Sequence, residues 1–113
     1  MFNDNTVLCG SSKYTRKYYL NPEFDSLPQQ IKDELKVLCV LYTEEVGGML
    51  VLEFDEDGNL LLKTEAKEGD LMYDEIGGAL KIKQIQKEKE ELLRSLEMFY
   101  KVFFLGEDIE EDN

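Results

Sequence analysis

The stretch Thr43-Glu44-Glu45-Val46-Gly47-Gly48-Met49-Leu50-Val51-Leu52 decides the fold. Before it, Ile31, Leu35, Leu38, Tyr42 and Val46 recur at spacings of four, three, four and four, the stripe of an amphipathic helix. After it, Met49-Leu50-Val51-Leu52 is apolar at every position, as expected of a central strand covered on both faces. The diglycine between them offers the left-handed residue that ends a helix. Upstream, Ser26 is placed to cap this helix, with Leu27 and Pro28 in a first turn where proline gives up no needed N–H. Cys39 and Leu41 widen the stripe, so the second half of the helix is expected to be buried on more than one side.

Downstream, Met49–Phe54 and 60–66 read as a hairpin around Asp55-Glu56-Asp57-Gly58-Asn59, where Asp-Gly supplies the positive φ of a tight turn. Leu60, Leu62, Thr64 and Ala66 share one face of its second strand. At the other end of the chain, 6–9 is a short strand, Gly10-Ser11-Ser12 a turn and 13–20 a second strand, closed by Asn21-Pro22. Lys13, Arg16 and Lys17 make this the one locally basic stretch.

From about 71 to 105 only Gly77-Gly78 interrupts a helical reading. Ile82, Ile85, Leu92, Leu93, Leu96, Phe99, Tyr100 and Phe103 fall on one face, with Ile76 and Leu80 well off it. Such a helix is about 50 Å long, whereas a domain of this size is about 35 Å across. It is therefore expected to break at the diglycine or to protrude. Segment 98–105 is apolar nearly all round, with only Lys101 charged. The apolar surface over 92–105, carried by Leu96, Phe99, Tyr100, Phe103 and Phe104, is expected to need cover from a second copy or another protein; a strand over 99–105 is the competing reading. The fold class is α+β, one domain over 1–106 in the order β-β-α-β-β-α, an antiparallel sheet packed on one face by two helices, the last one long. An acidic flexible tail, 107–113, follows.

The chain has 113 residues, 13 basic against 25 acidic, and a formal net charge of −12. That charge argues against nucleic acid and anionic lipid as partners. With 42% apolar and 11% aromatic residues the chain is too hydrophobic to be a disordered acidic segment. It contains no His, which excludes His-based triads, His zinc sites and His general bases. Cys9 and Cys39 belong to no C-x-x-C pair and read as two reduced, packed thiols. The N-terminus carries neither a basic region nor a long apolar stretch, and no run approaches a membrane span, so a cytoplasmic protein is expected.

No phosphate-binding loop, dinucleotide fingerprint or nucleophile elbow occurs, and no catalytic residue or cofactor is assigned. Asp55, Asp57 and Asn59 mimic the start of a calcium loop, but its sixth position is Leu60 and its twelfth Ala66, which fails the pattern. A near-repeat is more suggestive: Thr43-Glu44-Glu45-Val46-Gly47-Gly48 matches Tyr73-Asp74-Glu75-Ile76-Gly77-Gly78. If the copies met, Glu44, Glu45, Asp74 and Glu75 would be weak candidates to hold a divalent metal. Lys81, Lys83, Lys87 and Lys89, mixed with Glu88, Glu90 and Glu91, read as a solvated, salt-bridged helix face.

The segments Lys17-Tyr18-Tyr19-Leu20-Asn21-Pro22-Glu23-Phe24, Leu38-Cys39-Val40-Leu41, Glu45-Val46-Gly47-Gly48, Asp74-Glu75-Ile76-Gly77 and Tyr100-Lys101-Val102-Phe103-Phe104-Leu105-Gly106-Glu107 carry a resemblance. Together they resemble a family of small acidic proteins from anaerobic Gram-positive bacteria, a domain of unknown function. The resemblance implies a bacterial cytoplasmic protein and brings no activity. The functional expectation is a non-enzymatic interaction, chaperone-like or adaptor-like domain, homodimeric through the C-terminal helix. The alternative is a small-molecule or divalent-metal-binding domain built on the four carboxylates.

Overall fold

A computed structural model describes residues 4–107. The chain runs β1 (Thr6–Ser12), β2 (Lys17–Leu20), a 3-10 turn (Pro22–Phe24), α1 (Gln29–Glu45), β3 (Met49–Phe54), β4 (Leu60–Glu65), α2 (Glu75–Glu88) and α3 (Glu90–Phe103). The four strands form one antiparallel sheet in the order β2-β1-β3-β4, so the chain crosses over β1 by way of α1 before laying down β3. The architecture is the expected α+β one, with three helices in place of two.

Register explains which side chains enter the core. Cys9 pairs with Leu20 on one side and Leu52 on the other, and Leu52 pairs with Leu62. Side chains opposite one another share a face, which therefore carries Cys9, Leu20, Leu52 and Leu62, and one pair along, Tyr18, Ser11, Leu50 and Thr64. Helix α1 lies on β1 and β3, burying Leu35, Cys39 and Tyr42 against Leu50, Leu52 and Phe54. Each such large side chain contributes roughly 1.5–3 kcal/mol when fully removed from water.

The opposite face of the sheet is less enclosed. There Val7, Met49, Val51 and Leu61 are half-buried and Tyr19 is exposed. Strand β3 is thus central but not covered on both sides. Glu53 is buried on this face because Lys63 Nζ sits 2.7 Å and Asn5 Nδ2 2.6 Å from its carboxylate. Burial works to raise the Glu53 pKa, and the Lys63 and Asn5 hydrogen bonds outweigh it, so the net shift is downward.

Four local expectations change. Gly10-Ser11-Ser12 is strand, not turn: a Cβ on Gly10 would lie 2.8 Å from the Leu50 carbonyl oxygen, so glycine lets β1 sit close to β3. The turn falls on 13–16 instead, wound on Ser12 Oγ, which accepts from Tyr14 N at 3.1 Å and Thr15 N at 3.3 Å. Ser26 does not cap α1; Pro28 occupies that place with extended ψ, and Asn21 caps the 3-10 turn. The long helix breaks at Lys89 rather than at Gly77-Gly78, which lies in the first turn of α2. The break at Lys89 lets α2 lean on α1 through Ile85 while α3 lays Leu92, Leu96 and Tyr100 over the sheet. Helix α3 continues to Phe103, which removes the strand alternative for 99–105.

The end of α3 is tied down from several directions. Tyr100 Oη and Thr6 Oγ1 are 2.8 Å apart, and Glu97 accepts from Leu60 N at 2.8 Å. Tyr100 stacks on Phe54 at 4.2 Å between ring centroids, and Phe104 stacks on Phe24 at 4.7 Å. In the hairpin, Asp55 Oδ1 accepts from Asp57 N and Asn59 N, and Gly58 takes φ +89° beneath Lys101 and Leu105. Glu107 N donates to Lys101 O at 2.9 Å; the rest of the expected acidic tail, 108–113, lies outside the described residues.

Candidate functional site

The apolar run Val37-Leu38-Cys39-Val40-Leu41 exceeds what one helix face buries. Leu38 and Cys39 go into the core, whereas Val37 and Leu41 are about half exposed, at 55% and 48%. The expected two-sided burial of this part of α1 is therefore incomplete. Val37 and Leu41 instead form one wall of a groove of about 620 Å³ between α1 and α2, with Leu38 and Ile85 on its floor. Helix α2 runs antiparallel to α1 here: Lys81 pairs with Glu45 at 3.1 Å and Lys89 with Glu34 at 3.4 Å. The rim is acidic. Asp33, Glu34 and Glu88 stand on it, and its two lysines are both engaged by carboxylates of α1.

The diglycines position α2 against α1, and they do meet in space. A Cβ on Gly78 would lie 2.7 Å from the Tyr42 hydroxyl, and one on Gly48 would lie 2.7 Å from the Tyr73 ring. Tyr42 and Tyr73 hydroxyls are 3.1 Å apart, and Asp74 N donates to Val46 O at 3.3 Å. The near-repeat is thus a tyrosine-lined joint between two helix ends.

Its carboxylates go separate ways. Asp74 Oδ1 caps α2 by accepting from Gly77 N at 2.8 Å, and Glu45 holds Lys81. Glu44 faces the β1–β2 turn, and Glu75 lies in the exposed first turn of α2. Among the described residues no three Cys, Asp or Glu side chains gather as a cation site requires.

The five aromatic and aliphatic residues of the C-terminal surface divide. Leu96 and Tyr100 are enclosed by the chain itself, so the expectation that they need a partner is corrected: the sheet and Phe54 supply the cover. Phe99 is half-buried and Phe104, although stacked, retains 36% of its surface. Phe103 is 71% exposed, its one ring neighbour among the described residues being Phe99, tilted against it at 4.8 Å. Of these five, Phe103 in the last turn of α3 is the most exposed.

Cys9 and Cys39 meet with their sulfurs 3.8 Å apart, both fully buried and both thiols. The hydrogen bond between them, with burial, raises the Cys39 pKa far above the ordinary thiol range. A thiol so held is a packing element, not a nucleophile. Beside it the Tyr18 hydroxyl is buried with no well-aligned hydrogen-bond partner among the described residues, and burial first, the neighbouring thiols next, raise its pKa.

The groove was missed in the sequence because a fifth apolar residue in a helical run reads as extra core. The usable signal was that Val37 and Leu41 share a side of α1 with Asp33, Glu34 and Glu45, an acidic flank that a buried face would not tolerate. Among the described residues no helix is long and apolar enough to cross a membrane. No curated protein and no solved structure gives a significant match to the chain. Residues 5–108 match a family of unknown function, DUF6145, and the chain belongs to that family.

Proposed function

We propose that this protein is a non-enzymatic binding domain that receives a cationic, amphipathic helix of a partner protein in the α1–α2 groove. The observation that carries the reading is the groove itself: an apolar floor and wall bounded by Asp33, Glu34 and Glu88. The lining runs along α1 from Gln30 to Leu41, eleven residues on, about 17 Å at the rise of a helix. That length suits three turns of a partner helix bearing apolar anchors at i, i+3 or i+4, and i+7. The acidic rim and the net charge of −12 favour lysine and arginine on the partner's polar face and speed encounter. A setting in the cytoplasm of an anaerobic Gram-positive bacterium is part of this reading, supported by the sequence resemblance alone.

The test is titration with a designed 14-residue helix carrying leucine on one face and lysine on the other, read by calorimetry and amide chemical shifts. Binding is expected to perturb Val37, Leu41 and Ile85, and Leu41→Asp is expected to weaken it about tenfold or more. That substitution adds negative charge, so purely electrostatic adhesion would strengthen instead. Equal binding of a glutamate-faced version of the peptide would refute the reading.

Self-association through the end of α3 is the second reading, supported by the exposure of Phe103 and Met98. Light scattering at micromolar concentration tests it, and a strict monomer removes it.

A further inference from the structure

The turn between β1 and β2 brings together cations in a chain that is otherwise strongly acidic. Lys13, Arg16 and Lys17 from the turn meet Lys36 of α1 around a cavity of about 380 Å³ that holds one carboxylate, Glu44. We propose that this pocket binds a compact, phosphorylated small molecule, with Arg16 and Lys36 as its principal phosphate contacts. The site lies on the opposite flank of α1 from the groove and does not depend on it.

Three observations carry the proposal. First, the positive charge is not neutralised. Lys32, Lys63, Lys81, Lys89 and Arg94 each have a carboxylate within 4.0 Å, whereas none of the four pocket cations has one among the described residues. A chain with 25 acidic residues could readily have paired them.

Second, the turn is built to gather them. Ser12 Oγ winds the turn, Arg16 N donates to Ser12 O at 2.8 Å, and Arg16 takes φ +57°, the one positive φ of a non-glycine among the described residues. Left-handed backbone is unfavourable for an ordinary L-residue. Here it directs the chain so that positions 13, 16 and 17 border one cavity.

Third, the floor is rigid and polar. Ser11 Oγ donates to Cys39 O at 2.7 Å and lies 3.1 Å from Thr43 Oγ1, which ties β1 to α1 beneath the cations. Along α1 Lys36, Val40, Thr43 and Glu44 fall on one face and form the second wall.

The volume lies within the range of small-ligand sites. A guanidinium flanked by ammonium groups matches the oxygens of a phosphate monoester or diphosphate, arginine by paired hydrogen bonds and lysine by point charge. Compactness follows from the rest of the surface. A ligand inside the pocket stays within about 8–10 Å of the four cations, the range over which charge acts at physiological salt. A nucleic-acid strand leaving the pocket would run over a surface with a net charge of −12.

Pyrophosphate is the probe, titrated into the full chain by calorimetry at ionic strength held constant with sodium chloride. Saturable one-to-one binding is expected at or below about 1 mM. Arg16→Gln and Lys36→Gln are each expected to weaken it about tenfold, the loss of one charge-assisted contact. A Lys83→Gln/Lys87→Gln double variant on exposed α2 changes the net charge further and is expected to leave affinity unchanged. Far-UV circular dichroism of each variant confirms the fold. Absence of saturation up to about 10 mM, an equal loss in the α2 variant, or tighter binding of a single-stranded RNA oligomer than of pyrophosphate would each overturn the proposal.

Discussion

Helices α2 and α3 are both fourteen residues long and are separated by one residue, yet they are held in different ways. Helix α3 buries Leu92, Leu96 and Tyr100 and is pinned to two strands by Thr6–Tyr100 and Leu60–Glu97 hydrogen bonds. Helix α2 buries only Ile85 and Gly78 and leans on α1 through Lys81–Glu45, Lys89–Glu34 and the tyrosine joint. Exposed ion pairs contribute about 0–1 kcal/mol, so α2 is the weaker attachment. The comparison teaches that the chain fixes its sheet with α3 and leaves α2 as the adjustable wall of a groove.

The largest expected effect separates the two helices by core truncation. Tyr100→Ala removes a ring stacked 4.2 Å from Phe54 and the partner of Thr6, and should cost about 3–5 kcal/mol in urea denaturation. Ile85→Ala should cost about 2 kcal/mol, the low end for such truncations, because the adjoining groove can close over the gap. Equal losses would break the contrast. Polar ties come next. Glu97→Ala leaves the Leu60 N–H without its carboxylate and should cost about 1–2 kcal/mol. Lys89→Ala, at a 40% exposed ion pair, should cost less than about 1 kcal/mol.

Acid titration sharpens the comparison at the loops that lead into each helix. Tyr14 Oη donates to Asp70 at 2.5 Å and accepts from Lys67 N, tying the β1–β2 turn to the approach of α2. That Tyr14 hydrogen bond, first among the causes, lowers the Asp70 pKa, as the Asn59 backbone N–H lowers that of Asp55 beneath α3. Glu53 is lowered on the open face of the sheet. A carboxyl held low in the fold takes up its proton first in the unfolded chain. Its stabilisation is therefore complete above the unfolded values, 3.8 for Asp and 4.5 for Glu, and is lost as pH falls through the folded ones. With no His in the chain, the denaturation midpoint is expected to stay flat from about pH 8 to 5.5 and to decline below about 4.5. Tyr14→Phe should reduce that decline and speed amide exchange at 70–76; a midpoint that already moves between pH 7 and 6 would contradict this account.

How much of this was legible in the sequence depended on the range of the interaction. Helix α1 and the β3–β4 hairpin were readable because their signals are local: a period of 3.6, an apolar run, a diglycine and an Asp-Gly turn. The meeting of Cys9 with Cys39, of Tyr14 with Asp70 and of the two diglycines was not, since each depends on the crossover that sets β1 between β2 and β3. The break at Lys89 carries no glycine or proline to announce it; packing on two different surfaces imposes it. The exposure of Phe103 at the end of α3 was readable from the excess of aromatic residues there. The groove was hidden because Val37 and Leu41 look like core until the position of α2 is known. The basic turn was noticed as composition, while its closure by Lys36 required the tertiary fold.

The smallest expected effects test where the firm anchoring of α3 stops. Leu80 on α2 and Phe103 on α3 are both largely exposed, at 64% and 71%. Leu80→Gln should change stability by no more than about 0.5 kcal/mol, as for any surface site without partners. Phe103→Gln forfeits only the pairing with Phe99 and should cost about 0.5–1 kcal/mol. The measurement is informative when made at two protein concentrations. If the Phe103 ring is covered by a second copy, its loss must reduce stability more at high concentration than at low, because dimer burial enters through mass action. A cost above about 2 kcal/mol that ignores concentration would mean that the chain shelters the ring by itself. The last turn of α3 would then belong to the core, and the groove between α1 and α2 would be the apolar surface left for a partner.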